Sequence, residues 1–250
     1  MSAASFPDHF SALASAYGEF RPEYPDALFD HLAQLAPTRE LAFDCATGNG
    51  QAAMPLAARF RHVVASDASA AQLAEARPMA NLSLCVASAE RLPLAGDSVD
   101  LVTVAQALHW FRLPEFFSEV RRVLRERGVL AVWTYHLFSV TPAIDSLARH
   151  FNREVVGPYW PPQRRLVEQA YSAIDFPFAE LHTAAVPMSV TWSVDHLLAY
   201  LGTWSAVAQY RRQRGDDPLA DFGPALRAAW GDTAQREVRF PLTVKTMRKQ

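Results

Sequence analysis

Asp44, Gly48, Gly50 and Asp67 are the residues whose types and spacing first suggest chemistry. Gly48-Asn49-Gly50-Gln51-Ala52-Ala53 fits the pattern G-x-G-x-x-A, placed between an apolar stretch, Leu41-Ala-Phe-Asp44, and a helix-like segment. Glycines at such a strand-to-helix turn let the backbone approach a ligand, and an acid at the end of the next strand can accept ribose hydroxyls. Asp67 closes the stretch His62-Val-Val-Ala-Ser-Asp67 and stands in that place. A plain tight turn with a surface acid has the same pattern. Asp44 separates ligand classes: a carboxylate just before the glycines repels a nearby pyrophosphate but suits an ammonium or sulfonium group.

These residues need strands and helices to hold them. Residues 25–36 place Leu28, Phe29, Leu32 and Leu35 at helical spacing, with Pro25 suited to the first position and Pro37 as a stop. Residues 51–59 read as a helix with Pro55 early in it, and 69–77 as a helix capped by Ser69 and stopped by Pro78. Leu82–Val86, Val99–Ala105 and Gly128–Tyr135 read as strands, and 114–125 as a helix. The near-continuous apolar run 99–105 is what a strand shows when helices cover both faces of its sheet. Strands alternating with helices at this spacing predict βαβ units and an open parallel sheet. Beyond about residue 137 the rhythm changes. Residues 142–175 look helical but broken by Gly157-Pro158 and Pro161-Pro162, 179–188 fits a strand, 194–214 and 218–230 look helical, and 236–247 fits a last strand.

Composition sets the outer bounds. The chain has 250 residues, half of them hydrophobic and a fifth charged, which excludes a disordered or fibrous protein and suits one large domain. A net charge of −2 gives no strong pull toward nucleic acid or membrane. The start lacks the basic and apolar regions of a secretory signal, and there is no apolar run of membrane-spanning length. The expectation is a cytoplasmic protein. Two cysteines, Cys45 and Cys85, are too few for a disulfide scaffold, and the histidines lack metal-ligand spacing, so no metal site is expected.

Asp44-Cys-Ala-Thr-Gly48-Asn-Gly50, Asp67, Ala89-Glu90-x-Leu92-Pro93 and Arg122-Val-Leu-x-x-x-Gly128 come in the order of the loop, acid, turn and passage found in class I S-adenosylmethionine-dependent methyltransferases. The chain resembles that family from about residue 40 to 135, in the manner of the type 11 methyltransferases. Tyr17, Arg21-Pro-Glu-Tyr-Pro25, Gln106-Ala-Leu-His-Trp-Phe111 and Thr203-Trp-Ser205 look like the branch that includes trans-aconitate methyltransferases, which act on small carboxylic acids. The resemblance implies a Rossmann-like α/β fold: a seven-stranded, mostly parallel sheet in the order 3-2-1-4-5-7-6, its last strand antiparallel, with helices on both faces and a helical cap. It implies a single domain over 1–250, with an arm and helix at 1–37, a cofactor-binding core at about 38–136 and a cap at about 140–235. The sheet order sets Cys45 and Cys85 two strands apart, about 10 Å, too far for a disulfide.

The same resemblance implies S-adenosyl-L-methionine as cofactor and assigns the residues around it. Asp44, Ala46, Thr47, Gly48 and Gly50 meet its methionine part, Asp67 its ribose hydroxyls, and Ala68, Ser88 and Ala89 its adenine. Gln106 lies where the methionine end passes. Tyr17 and Arg21 belong to an arm that closes over the pocket, and Arg21 can pair a carboxylate. Two positions depart from the family. Ala46 stands where its first glycine usually sits, and Ser88 where many relatives carry an aspartate.

His109 falls at the carboxyl end of the sheet, where open α/β sheets bind ligands, and suits a general base or a hydrogen-bond donor. If the nucleophile is a carboxylate it is already ionised at pH 7, no base is needed, and arginines that hold the acid matter most. The candidates are Arg21, Arg112, Arg153, Arg164 and Arg211. If it is a hydroxyl or carbon, His109 is the base. Tyr159, Trp160, Trp192, Trp204 and Tyr210 either line the acceptor pocket or form the core of the cap. The expected activity is methyl transfer to a small molecule, foremost a carboxylate giving a methyl ester, by a monomer or homodimer. A non-catalytic S-adenosylmethionine-binding protein is the alternative from another class. Nucleic acid is a poor substrate, since the position after the fourth strand holds Gln106-Ala-Leu-His109 rather than an Asp/Asn-Pro-Pro-aromatic run.

Overall fold

A computed structural model of the chain describes residues 19–183 and 185–250. Tyr17 lies outside the described residues. After helix α1 (Asp26–Leu35) come β1 (Leu41–Cys45), α2 (Ala53–Ala57), β2 (His62–Asp67), α3 (Ala70–Ala74), β3 (Leu82–Val86) and β4 (Val99–Ala105). Then follow α4 (Leu113–Val123) and β5 (Leu124–Tyr135). The described strands build a seven-stranded sheet ordered β3-β2-β1-β4-β5-β9-β6, where β6 is Ala179–Leu181 and β9 is Leu242–Arg248. β1 to β5 pair in parallel, and β9 runs antiparallel to both its neighbours. This is the expected class I order with the antiparallel strand in its expected place.

The two covered faces of the sheet follow from side-chain alternation. On β5, Val129, Ala131 and Trp133 join the core under α1 and α2, where Leu28, Phe29, Leu32 and Leu56 are fully buried. Leu130 and Val132 point the other way, into the core under α4 with Phe116, Val120 and Val123. β4 alternates likewise, Leu101 facing one core and Val102 and Val104 the other.

Several element boundaries differ from expectation for local reasons. Pro25 caps α1 from outside instead of opening it, while Ser69 caps α3 as expected by accepting from the Gln72 amide. β5 begins at Leu124, four residues before Gly128, and crosses an irregularity in its pairing with β4 between Val99 and Leu101. Gly128 is required there: a Cβ would stand 2.9 Å from the Arg125 carbonyl and 3.1 Å from that of Val99. Gly128→Ala is expected to destabilise the fold by about 2 kcal/mol, as a lower denaturation midpoint with unchanged denaturant dependence.

The segment 236–247 is not one strand. Pro241 has no N–H to give a ladder, and it divides β8 (Arg236–Phe240) from β9. Nor is 179–188 one strand: β6 ends at Leu181, and β7 (Met188–Trp192) pairs with β8 in a separate two-stranded sheet. The cap is thus more than helices. It holds α5 (Pro142–His150), a π turn (Phe151–Val155), α6 (Arg164–Glu168), α7 (Val194–Gly202), α8 (Ser205–Arg214), α9 (Pro218–Trp230) and this small sheet. Its own core includes Phe138, Phe151, Trp192, Tyr200, Trp204, Leu226 and Trp230. Phe20 packs edge-on against His196 of α7, and Tyr24 against Trp133, which brings the first described residues over the carboxyl ends of the strands.

Candidate functional site: the carboxyl ends of β1, β2 and β4

The strand order reverses between β1 and β4, and open α/β sheets bind ligands at that switch point. Both strands leave it through a residue in the left-handed region, Ala46 at φ 55° and Gln106 at φ 53°. For non-glycine residues this costs of order 1 kcal/mol, and such strain gathers at functional sites. The alanine at position 46 therefore carries a real conformational cost.

Gly48 and Gly50 follow with φ of 58° and 88°. The loop is pinned from below. Thr47 donates its amide to the Ser66 carbonyl at 2.9 Å, and Gly50 donates to Thr47 at 3.0 Å. Asp44 is fully buried beneath it. β1 and β4 place Asp44 opposite Thr103, whose hydroxyl donates to one carboxylate oxygen, while the Thr47 hydroxyl donates to the other, both at 2.6 Å. Burial pushes its carboxyl up to about 6, against the two threonine hydrogen bonds that lower it.

Asp67 reaches the same loop from β2. Its carboxylate accepts from the Gly48 amide at 2.9 Å and the Ser69 amide at 2.8 Å, and burial raises its pKa above the ordinary carboxylate value. Ala68 beside it is exposed. A Cβ added at Gly48 would stand in van der Waals contact with Gln72 Oε1, at 3.6 Å. At the end of β3, Ala89 is buried, and Ser88 is exposed with its hydroxyl donating to Glu90 at 2.7 Å. Ser88 is thereby committed to Glu90, which also accepts the Arg112 amide at 3.0 Å.

Gln106 is held by β5. Its Nε2 donates to the Tyr135 carbonyl at 2.9 Å, and its Oε1 accepts from the Thr134 hydroxyl at 2.5 Å. It forms the floor of a cavity that also takes in Arg21, His109, His136, Trp160, Arg164, Tyr200 and Trp204. Among the described residues no aspartate or glutamate lines it. Arg21 donates to the Thr203 carbonyl at 3.3 Å and lies over the Tyr200 ring at 5.4 Å. The Arg164 guanidinium stacks on Trp160 at 4.4 Å, and its buried Nε has no hydrogen-bond partner among the described residues. Burial chiefly, with a smaller contribution from Arg21, disfavours the Arg164 cation, while Tyr200 and the Glu168 carboxylate favour it.

The cavity sorts the sequence candidates. Of the five arginines, Arg21 and Arg164 reach it. Arg112 pairs with Glu90 and Glu115, Arg211 pairs with Asp217, and Arg153 lies on the outer side of the Trp160–Arg164 segment. Of the five cap aromatics, Trp160 and Trp204 line it, while Trp192 belongs to the cap core and Tyr159 packs on Tyr210. His109 is present, its pKa pushed down to about 3 by burial and by Arg164. His136 was missed by sequence reasoning. It directly follows β5, so the strand pattern that located His109 carried the signal. Cys45 and Cys85 are both free.

The comparisons agree with this geometry. The sequence profile of the family described as "Methyltransferase domain" matches residues 43–132. A Dictyostelium discoideum protein named "putative methyltransferase" is 31% identical over 98% of this chain and 96% of its own length. The solved structure of a "putative type II methyltransferase" from Anaeromyxobacter dehalogenans is 43% identical, with a TM-score of 0.85 over 92% of this chain and 98% of its own. A 15% identical structure from Anabaena variabilis, TM-score 0.57 over 88% of this chain and 96% of its own, shares the fold. The glycine loop at the switch point, the acid after β2, the strand order and these relatives give one conclusion: the chain belongs to the class I S-adenosylmethionine-dependent methyltransferases.

Proposed function

We propose that this methyltransferase esterifies the carboxylate of a small acidic molecule held by Arg21 and Arg164. The observation that carries the reading is the cavity lining, which among the described residues presents two guanidinium groups and no carboxylate, Glu168 acting on Arg164 from outside that lining. A carboxylate would give the Arg164 Nε, which has no hydrogen-bond partner among the described residues, an acceptor, and a planar guanidinium suits a carboxylate bidentately. The likeness to the trans-aconitate branch supports the same class of acceptor.

S-adenosylmethionine, when bound, supplies an electrophilic methyl on a sulfonium sulfur. Asp67 would accept the ribose hydroxyls from the place where it now holds Gly48 and Ser69. Ala68, Ser88 and Ala89 would border the adenine. Ala46, Thr47, Gly48 and Gly50 would wrap the methionine part, with Asp44 supplying negative charge from beneath and Gln106 dividing the cofactor from the acceptor. Arg21 would close the site. The arginines align the carboxylate, and the aromatic walls of Trp160, Tyr200 and Trp204 exclude water, which is what an in-line displacement needs.

No proton has to be removed from an ionised carboxylate. His109, held near pKa 3, stays neutral at pH 7 and is too weak a base for a hydroxyl or carbon acid. His109→Gln keeps an N–H donor and cannot serve as a base. Its kcat/KM for an acid acceptor is expected to stay within about fivefold of wild type, whereas a base role demands a loss of about 10²–10⁴-fold.

Asp44 makes cofactor binding depend on pH. Its ionised form attracts a cation, and burial sets the change of form at about 6. Affinity for S-adenosylmethionine is expected to be highest above that pH and to fall by up to about tenfold per unit below it. Asp44→Asn flattens the profile, which calorimetric titration at several pH values reads directly.

A further inference from the structure

His109 lines the acceptor cavity, yet one of its ring nitrogens is engaged in the core. Nδ1 lies 3.1 Å from the hydroxyl of Tyr171, a side chain 1% exposed and 62 positions further along. Ala170 and Tyr171 are consecutive residues in the left-handed region, with φ of 50° and 57°. Two adjacent non-glycine residues hold a costly conformation, and the phenol they deliver meets His109.

The surrounding hydrogen bonds constrain where the protons sit. The Tyr135 carbonyl can only accept, so Gln106 turns its NH₂ toward it and its oxygen toward Thr134. Thr134 has a single hydroxyl hydrogen, and Gln106 takes it. Tyr171 is a neutral phenol, its pKa driven far upward by burial. The Leu108–His109 backbone, at the start of the 3₁₀ turn Leu108–Trp110, opposes that rise to a lesser degree. A neutral phenol has its own hydrogen to give. The acceptors in reach are the Thr134 oxygen and Nδ1, of which the imidazole nitrogen is the stronger. His109 Nε2 hydrogen-bonds to no described residue and is the ring nitrogen left to the cavity.

We infer that Tyr171 is a positioning residue: it donates to His109 Nδ1 and so fixes the tautomer that carries hydrogen on Nε2, presenting a neutral N–H donor to the acceptor's carboxylate. The inference rests on the carboxylate reading for its consequence, though not for the tautomer itself. Tyr171 also confines His109 to a donor's role, since its lone pair is spent inward.

Nitrogen NMR of protein labelled with ¹⁵N-histidine, at neutral pH and without ligands, tests it on the wild-type chain. Expected for His109 are an unprotonated, pyridine-type Nδ1 and a protonated, pyrrole-type Nε2. A protonated Nδ1 overturns the assignment. Because this readout needs no turnover, it stands or falls separately from the identity of the acceptor. In activity, Tyr171→Phe is expected to raise KM for an acid acceptor about tenfold, with kcat and S-adenosylhomocysteine affinity within about twofold. Made in the His109→Gln background, where no tautomer exists to fix, the same change is expected to cost less than about twofold. Equal losses in both backgrounds mean that Tyr171 acts as packing alone, and the positioning role fails.

Discussion

Arg164→Leu is expected to lower kcat/KM for a carboxylic acid acceptor by about 10²–10³-fold while leaving S-adenosylhomocysteine affinity within about twofold. Truncating one partner of a desolvated, hydrogen-bonded ion pair costs about 2–5 kcal/mol, and the pair here forms only when the acceptor arrives. The guanidinium is packed on Trp160, and its buried Nε has no hydrogen-bond partner among the described residues, so it is a largely desolvated cation with unused hydrogen-bonding capacity, eased by the Glu168 carboxylate. Removing it is therefore expected to leave thermal stability undiminished. Arg164→Lys should recover little, because an ammonium keeps the charge and loses the planar fork. Arg21→Leu is expected to act in the same direction with a smaller effect, since Arg21 already spends one donor on the Thr203 carbonyl. Steady-state kinetics with calorimetry on the same preparations separates the two ligands. Full activity toward acids in the Arg164 variant would remove the basis of the acceptor assignment.

The second large effect falls on the cofactor. Asp67→Ala is expected to weaken S-adenosylhomocysteine binding by about 10²–10⁴-fold. Two ribose hydroxyls on one carboxylate are two charge-assisted hydrogen bonds, each worth about 1.5–3 kcal/mol. The same substitution releases the amides of Gly48 and Ser69, which Asp67 holds at 2.9 and 2.8 Å, and loosens the loop that the ligand must meet. Asp67→Asn retains one acceptor and is expected to lose less. Titration calorimetry measures both, and unchanged affinity in Asp67→Ala would place the ribose elsewhere.

The half of the site proposed for the cofactor is local, so its residues could be placed together from the sequence. Asp44 to Gly50 lie within one strand and one turn, and Asp67 ends the next strand, so the βαβ pattern alone brings them together. The run Val99–Ala105 announced a strand covered on both faces, and the alternation of Leu101 against Val102 and Val104 bears that out. The acceptor half was not legible. Arg164 and Tyr171 come from the cap, more than 50 residues beyond His109, and periodicity records which side of an element is buried without saying what lies opposite. Five arginines were equivalent until the fold paired Arg112 and Arg211 with acids and turned Arg153 outward. Tyr171 had no sequence signal, since its backbone conformation is one that any sequence argument reserves for glycine or asparagine.

The most direct test of the central claim is methyl transfer from labelled S-adenosylmethionine to matched pairs of small acceptors, each acid set against the alcohol of the same skeleton. Label in alkali-labile methyl esters of the acids, and none on the alcohols, is the predicted result. Label on the alcohols, or in alkali-stable products, would contradict the account: the two arginines would then hold something other than the group that receives the methyl.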